Sequence, residues 1–99
     1  MTQHQYHPST MTGRVVATPR LSKERSDRPT RTTLFVAGRH SGRRVRVFAV
    51  DELASAVCAS LRSGDLVTIS GVMAERSWGD SVFRVLELDS FTIHPRDAA

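Results

Sequence analysis

Residues 43–78 read RRVRVFAVDELASAVCASLRSGDLVTISGVMAERSW, and the change of period inside this stretch decides the fold. Up to Val50, basic and apolar side chains alternate. In an extended chain this puts Val45, Val47 and Ala49 on one face and Arg44, Arg46, Phe48 and Val50 on the other. The first set is expected to face inward and the second to form a working surface. After Asp51 the period lengthens: Leu53, Ala54, Val57, Cys58 and Leu61 form the apolar stripe of a short helix. Asp51 is expected to cap that helix by accepting from free first-turn amides, and Ser63-Gly64 to stop it, with Gly64 left-handed. Period two returns over residues 65–74, where Val67, Ile69, Gly71 and Met73 oppose Leu66, Thr68, Ser70 and Val72. A glycine at that place marks a bend or a close backbone approach.

Outward from this stretch, residues 11–17 and 32–38 read as strands, and the turn His40-Ser41-Gly42 joins the second of them to residues 43–50 as a hairpin. The connection between them is polar and charged, punctuated by Pro19 and Pro29, with room for some extended structure. Ser77-Trp78-Gly79-Asp80 supplies a turn into a long final strand over residues 81–94, whose pattern breaks around Leu86 to Asp89 and predicts a bulge. Residues 1–10 are expected to be a disordered lead-in, residues 11–95 the folded domain and residues 96–99 a stub. Three strands, a helix and two strands is the order of an all-β, five-stranded OB-fold barrel with one helix between strands three and four. The pattern alone also admits other small β-rich folds.

Certain words in the chain go further. They are Arg44-Val45-Arg46-Val47-Phe48, Leu53-Ala54, Leu61-Arg62-Ser63-Gly64-Asp65, Val67-Thr68-Ile69-Ser70-Gly71 and Arg76-Ser77-Trp78. In this order, ungapped from Leu53 to Trp78, they resemble the second half of the bacterial single-stranded DNA-binding protein domain. Gly13-Arg14-Val15 through Pro19, and residues 33–39 ending in Arg39, extend the resemblance more weakly, so that it covers about residues 11–94. It selects the OB-fold. It also implies that Trp78 sits at the hairpin tip used for nucleic-acid contact, and that the chain forms a homodimer or homotetramer. An exposed Leu34, Val36 or Phe48 would suit such an interface. There are departures: Arg44 and Val50 stand where the family has aromatics at the two ends of strand three, and the loop after strand two is short. The chain also ends soon after the barrel, so the linker and acidic, Phe-tipped tail of replicative members are not expected.

Composition is consistent with a polyanionic partner. The 99 residues carry a formal charge of +4, and thirteen of the fourteen basic residues are Arg, whose planar fork suits phosphate and whose face lies against a base. Aromatic content, at 6%, is low for a base-stacking protein, which points to binding in which counterion release has a large share. One cysteine excludes an intrachain disulfide and fits a reducing cytoplasm. No run reaches the roughly 18 apolar residues of a membrane helix. His4 and His7 lack further ligands for a metal, and no Gly-rich phosphate loop or nucleophile-base pair is present, so neither a cofactor nor catalysis is expected.

The expected function is low-specificity binding of single-stranded DNA, as an accessory protein in replication, recombination or repair. The candidate contacts are Arg14, Arg39, Arg43, Arg44, Arg46, Phe48, Arg76, Trp78 and Arg84. RNA stays open as a ligand, since nothing here reads a 2′-hydroxyl. The alternative is an OB-fold module that binds protein partners and has weak or no nucleic-acid affinity.

Overall fold

The computed structural model describes residues 7–22 and 30–95, with the side chains of His7, Ser22 and Trp78 left aside. Its elements are β1 (His7–Val15), β2 (Leu21–Ser22), β3 (Arg31–Gly38), β4 (Arg44–Val50), α1 (Asp51–Ser60), β5 (Leu66–Trp78) and β6 (Ser81–Ile93). The strands run in the order β1-β5-β6-β4-β3-β2, and an additional β1–β3 pairing closes the five long strands into a ring. All ladders are antiparallel except β4–β6, where Val47 and Phe48 pair with Leu86 and Glu87 in parallel. This is the OB-fold expected from the sequence, with β2 as a short addition in the charged connection. Thr32, fully buried, ties that connection to β3 by donating to the Arg20 carbonyl at 2.7 Å.

Alternation decides which side chains fill the ring. Leu34 and Val36 of β3, Val47 and Ala49 of β4, Val67 and Ile69 of β5, and Leu86 and Leu88 of β6 all turn inward, and Ala54, Val57 and Leu61 of the helix pack against them. Leu53 is half-buried on the same cluster, and Cys58 is also half-buried. Closure requires strands to approach closely where they bend. A Cβ on Gly13 would lie 2.1 Å from the Ala37 carbonyl oxygen, and one on Gly71 would lie 2.1 Å from that of Glu87. At Gly71 the β5–β6 register shifts, pairing Ser70 with Ser90 but Gly71 with Leu88 and leaving Asp89 as the extra residue. The bulge falls where the sequence pattern breaks.

Several expectations are corrected. β1 starts at His7 rather than near residue 11, because residues 7–10 pair with Met73, Val72, Gly71 and Ser70 of the long β5. Residues 1–6 of the expected lead-in and the stub at 96–99 lie outside the described residues. Asp51 does not cap α1. The cap place is held by Val50, with no side-chain hydrogen bond, while Asp51 has φ 54 and donates its amide to the Thr30 carbonyl at 2.7 Å. The helix ends at Ser60, with Leu61 extended, and Gly64 takes its positive φ of 91° in the turn beyond. β5 runs on to Trp78, shortening the hairpin turn to Gly79-Asp80. Leu34 and Val36 are 2% and 0% exposed, so the barrel core claims them and neither is available to an interface between copies. Among the described residues no helix is long and apolar enough to cross a membrane.

Candidate nucleic-acid interface

The outward positions of β3 and β4 form one wall of a concave site, and the upper part of the β5–β6 hairpin forms the other. Between them lies a cavity of about 850 Å³ bordered by Phe35, Arg46, Phe48, Arg76, Phe83 and Glu87. The placement follows from register. Phe35 stands across the ladder from Arg46 on the antiparallel β3–β4 pair, Phe48 beside Glu87 on the parallel β4–β6 pair, and Arg76 opposite Phe83 on β5–β6. Four strands therefore bring three rings and two guanidinium groups to one surface.

Arg46 is the centre of this arrangement. Its guanidinium carbon lies 4.4 Å from the Phe83 ring centroid and 5.5 Å from that of Phe35. Such contacts attract through the ring quadrupole, each by about 0.5–1 kcal/mol at a partly exposed site. Arg31 lies over Phe48 in the same way, at 5.9 Å. Arg76 instead forms an ion pair with Glu87, its Nη2 donating to Oε1. Both partners keep solvent contact, so the pair contributes little to stability, within about 1 kcal/mol. Its effect is to orient Arg76 and to place a carboxylate in the site. Val85 and Leu86, successive residues of β6, are both fully buried, which shows that the outer face of this strand is covered as well as the inner one.

A second cavity of about 320 Å³ adjoins the first and is bordered by Val16, Phe35, Arg44, Arg46, Phe83 and Arg84. Of the residues expected from sequence, Arg44, Arg46, Phe48, Arg76 and Arg84 border one cavity or both. Arg39 and Arg43 are exposed in the β3–β4 connection and border neither. Arg14 is directed to the turn between α1 and β5, donating to the Gly64 carbonyl at 2.9 Å. Trp78 ends β5 opposite Ser81, and its side chain lies outside the described residues. Phe35 and Phe83 are functional candidates that were not singled out in the sequence. Phe35 had a local signal, since it sits between two core residues and so points outward. No cluster of three or more His, Cys, Asp or Glu is present among the described residues.

No protein-family model and no curated protein matches the chain. Solved structures do. The SSB domain of a Synechococcus sp. protein superposes with a TM-score of 0.75 at 15% identity, over 92% of this chain and 98% of that one. The second single-stranded DNA-binding protein of Mycobacterium smegmatis superposes with a TM-score of 0.75 at 22% identity, over 88% of this chain and 84% of that one. At these identities the likeness is one of architecture: the chain has the OB-fold in the arrangement of those domains.

Proposed function

We propose that this chain binds single-stranded DNA with little sequence specificity, as an accessory protein in replication, recombination or repair. The observation that carries the proposal is the cavity between the β3–β4 face and the β5–β6 hairpin, where Arg46 lies against Phe35 and Phe83. OB-folds take oligonucleotides on this face. Low-specificity binding of single strands requires cations that track phosphate and flat groups on which any base can stack. Phe35, Phe48 and Phe83 supply rings, and Arg44 and Arg46 supply guanidinium planes. Trp78, at the end of the hairpin, is proposed as a further stacking group. The structural relatives named above are SSB domains or described as single-stranded DNA-binding proteins, which is consistent with this assignment.

A second reading, a module for protein partners, draws on Val50, which is 46% exposed at the edge of the same cavity. The two differ over substitutions that leave Val50 in place. Arg44→Ala and Trp78→Ala, assayed by anisotropy of a labelled oligothymidine strand, are expected each to weaken binding several-fold. Wild-type affinity in both variants would favour the protein-partner reading.

A further inference from the structure

The two cavities share a wall of Phe35, Arg46 and Phe83 but differ in charge. The larger one carries Arg31, Arg46 and Arg76 beside one carboxylate, Glu87, which is tied to Arg76. Among the described residues, the charged ones that border the smaller cavity are Arg44, Arg46 and Arg84. Among the described residues the Arg76–Glu87 pair is the sole ion pair, and none of these three arginines takes part in it. Glu75, directly across the ladder from Arg84, makes no ion pair with it. Like charges gathered in a concavity repel unless an anion joins them. Arg46 is also held in place: its guanidinium carbon lies over the Phe35 and Phe83 rings, and no ion pair among the described residues engages its N–H groups, which are left to donate. Those groups are the part of an arginine that matches phosphate oxygens.

We propose that the smaller cavity is a phosphate seat, in which Arg44, Arg46 and Arg84 hold one phosphodiester group of a bound strand while a neighbouring base enters the larger cavity. The inference rests on the single-strand reading above and adds a division of labour to it. In the larger cavity Glu87 offsets one of three arginines, whereas the smaller cavity gathers three arginines with no carboxylate among its described lining residues, and this favours phosphate in the smaller one. Arg46, bordering both, donates to phosphate while it keeps its contacts with the Phe35 and Phe83 rings.

The test is a salt series. Labelled oligothymidine is titrated with wild type, Arg44→Ala, Arg84→Ala and Arg62→Ala, the last removing the same charge from a residue that instead donates to the Cys58 and Leu61 carbonyls at the helix end. Loss of one phosphate contact lowers the slope of log affinity against log salt by about 0.7 and weakens low-salt binding by about tenfold. Arg44→Ala and Arg84→Ala are expected to show this drop, and Arg62→Ala to keep the wild-type slope. On an oligothymidine whose linkages are all neutral methylphosphonates, Arg84→Ala is expected to bind as wild type does. Equal slope changes for Arg62→Ala and Arg84→Ala would mean a diffuse field and overturn the seat, while leaving the single-strand reading standing. A folded wild type that binds no strand at all would overturn both.

Discussion

On β3 and β4 the outward positions carry Phe35, Arg46 and Phe48; on β1 and β5 they carry Thr10, Thr12, Thr68 and Ser70. The same alternation builds both faces, yet their hydrogen-bonding capacity ends in different places. The hydroxyl face satisfies itself: Thr10 and Ser70 are 3.1 Å apart, Thr12 and Thr68 2.8 Å, and Thr68 meets His94 Nε2 at 2.7 Å. A hydroxyl both donates and accepts, so such pairs close among themselves. A guanidinium only donates. The face of arginines and rings offers few acceptors, Glu87 and the hydroxyls of Thr33, Ser77 and Ser81, so most of its N–H groups are left to donate to water or to an anion from outside. The difference explains why a polyanion is assigned to one side of the barrel and not the other.

The substitution with the largest expected effect removes both faces at once. Gly71→Val would place a side chain 2.1 Å from the Glu87 carbonyl oxygen, where backbone rather than a flexible tip must move. A loss of about 3 kcal/mol or more is expected in chemical denaturation; a stability within experimental error of wild type would mean the strands do not approach as described. Phe83→Ala sharpens the contrast between faces. Losing one stacked base corresponds to about 1–3 kcal/mol, so anisotropy titrations should show binding weakened between several-fold and a hundredfold. Glu87→Gln should act in the opposite direction, tightening low-salt binding by about threefold as a carboxylate leaves the groove and Arg76 is released. The smallest effect belongs to the hydroxyl face. Thr68→Val breaks the Thr12–Thr68–His94 chain and should lower stability by about 1 kcal/mol, with affinity for a single strand unchanged. A marked loss of binding in that variant would assign the wrong face.

Much of the barrel is legible in the sequence. Period two in residues 43–50 correctly turned Val47 and Ala49 inward and Arg46 and Phe48 outward, because burial on one face constrains every second residue of a strand. The helix stripe and the bulge near Asp89 were visible for similar local reasons. The start of β1 was not, since residues 7–10 gain order from pairing with β5 rather than from apolar content. The site was only half legible. Arg46 and Phe48 follow from their own strand, but the meeting of Phe83 with Arg46 depends on the parallel β4–β6 ladder, a contact between segments far apart in the chain. The basic count was a poor guide by itself. Arg14, as exposed by alternation as Arg44, is spent on the Gly64 carbonyl.

The most direct measurement is a titration of labelled oligothymidine with the wild-type protein at low and moderate salt, with unlabelled duplex as competitor. Saturable binding that weakens with salt and withstands an excess of duplex is the predicted result. A folded protein that leaves the strand free at low salt, or releases it to duplex on equal terms, would contradict the assignment of the Arg46 face to single-stranded DNA.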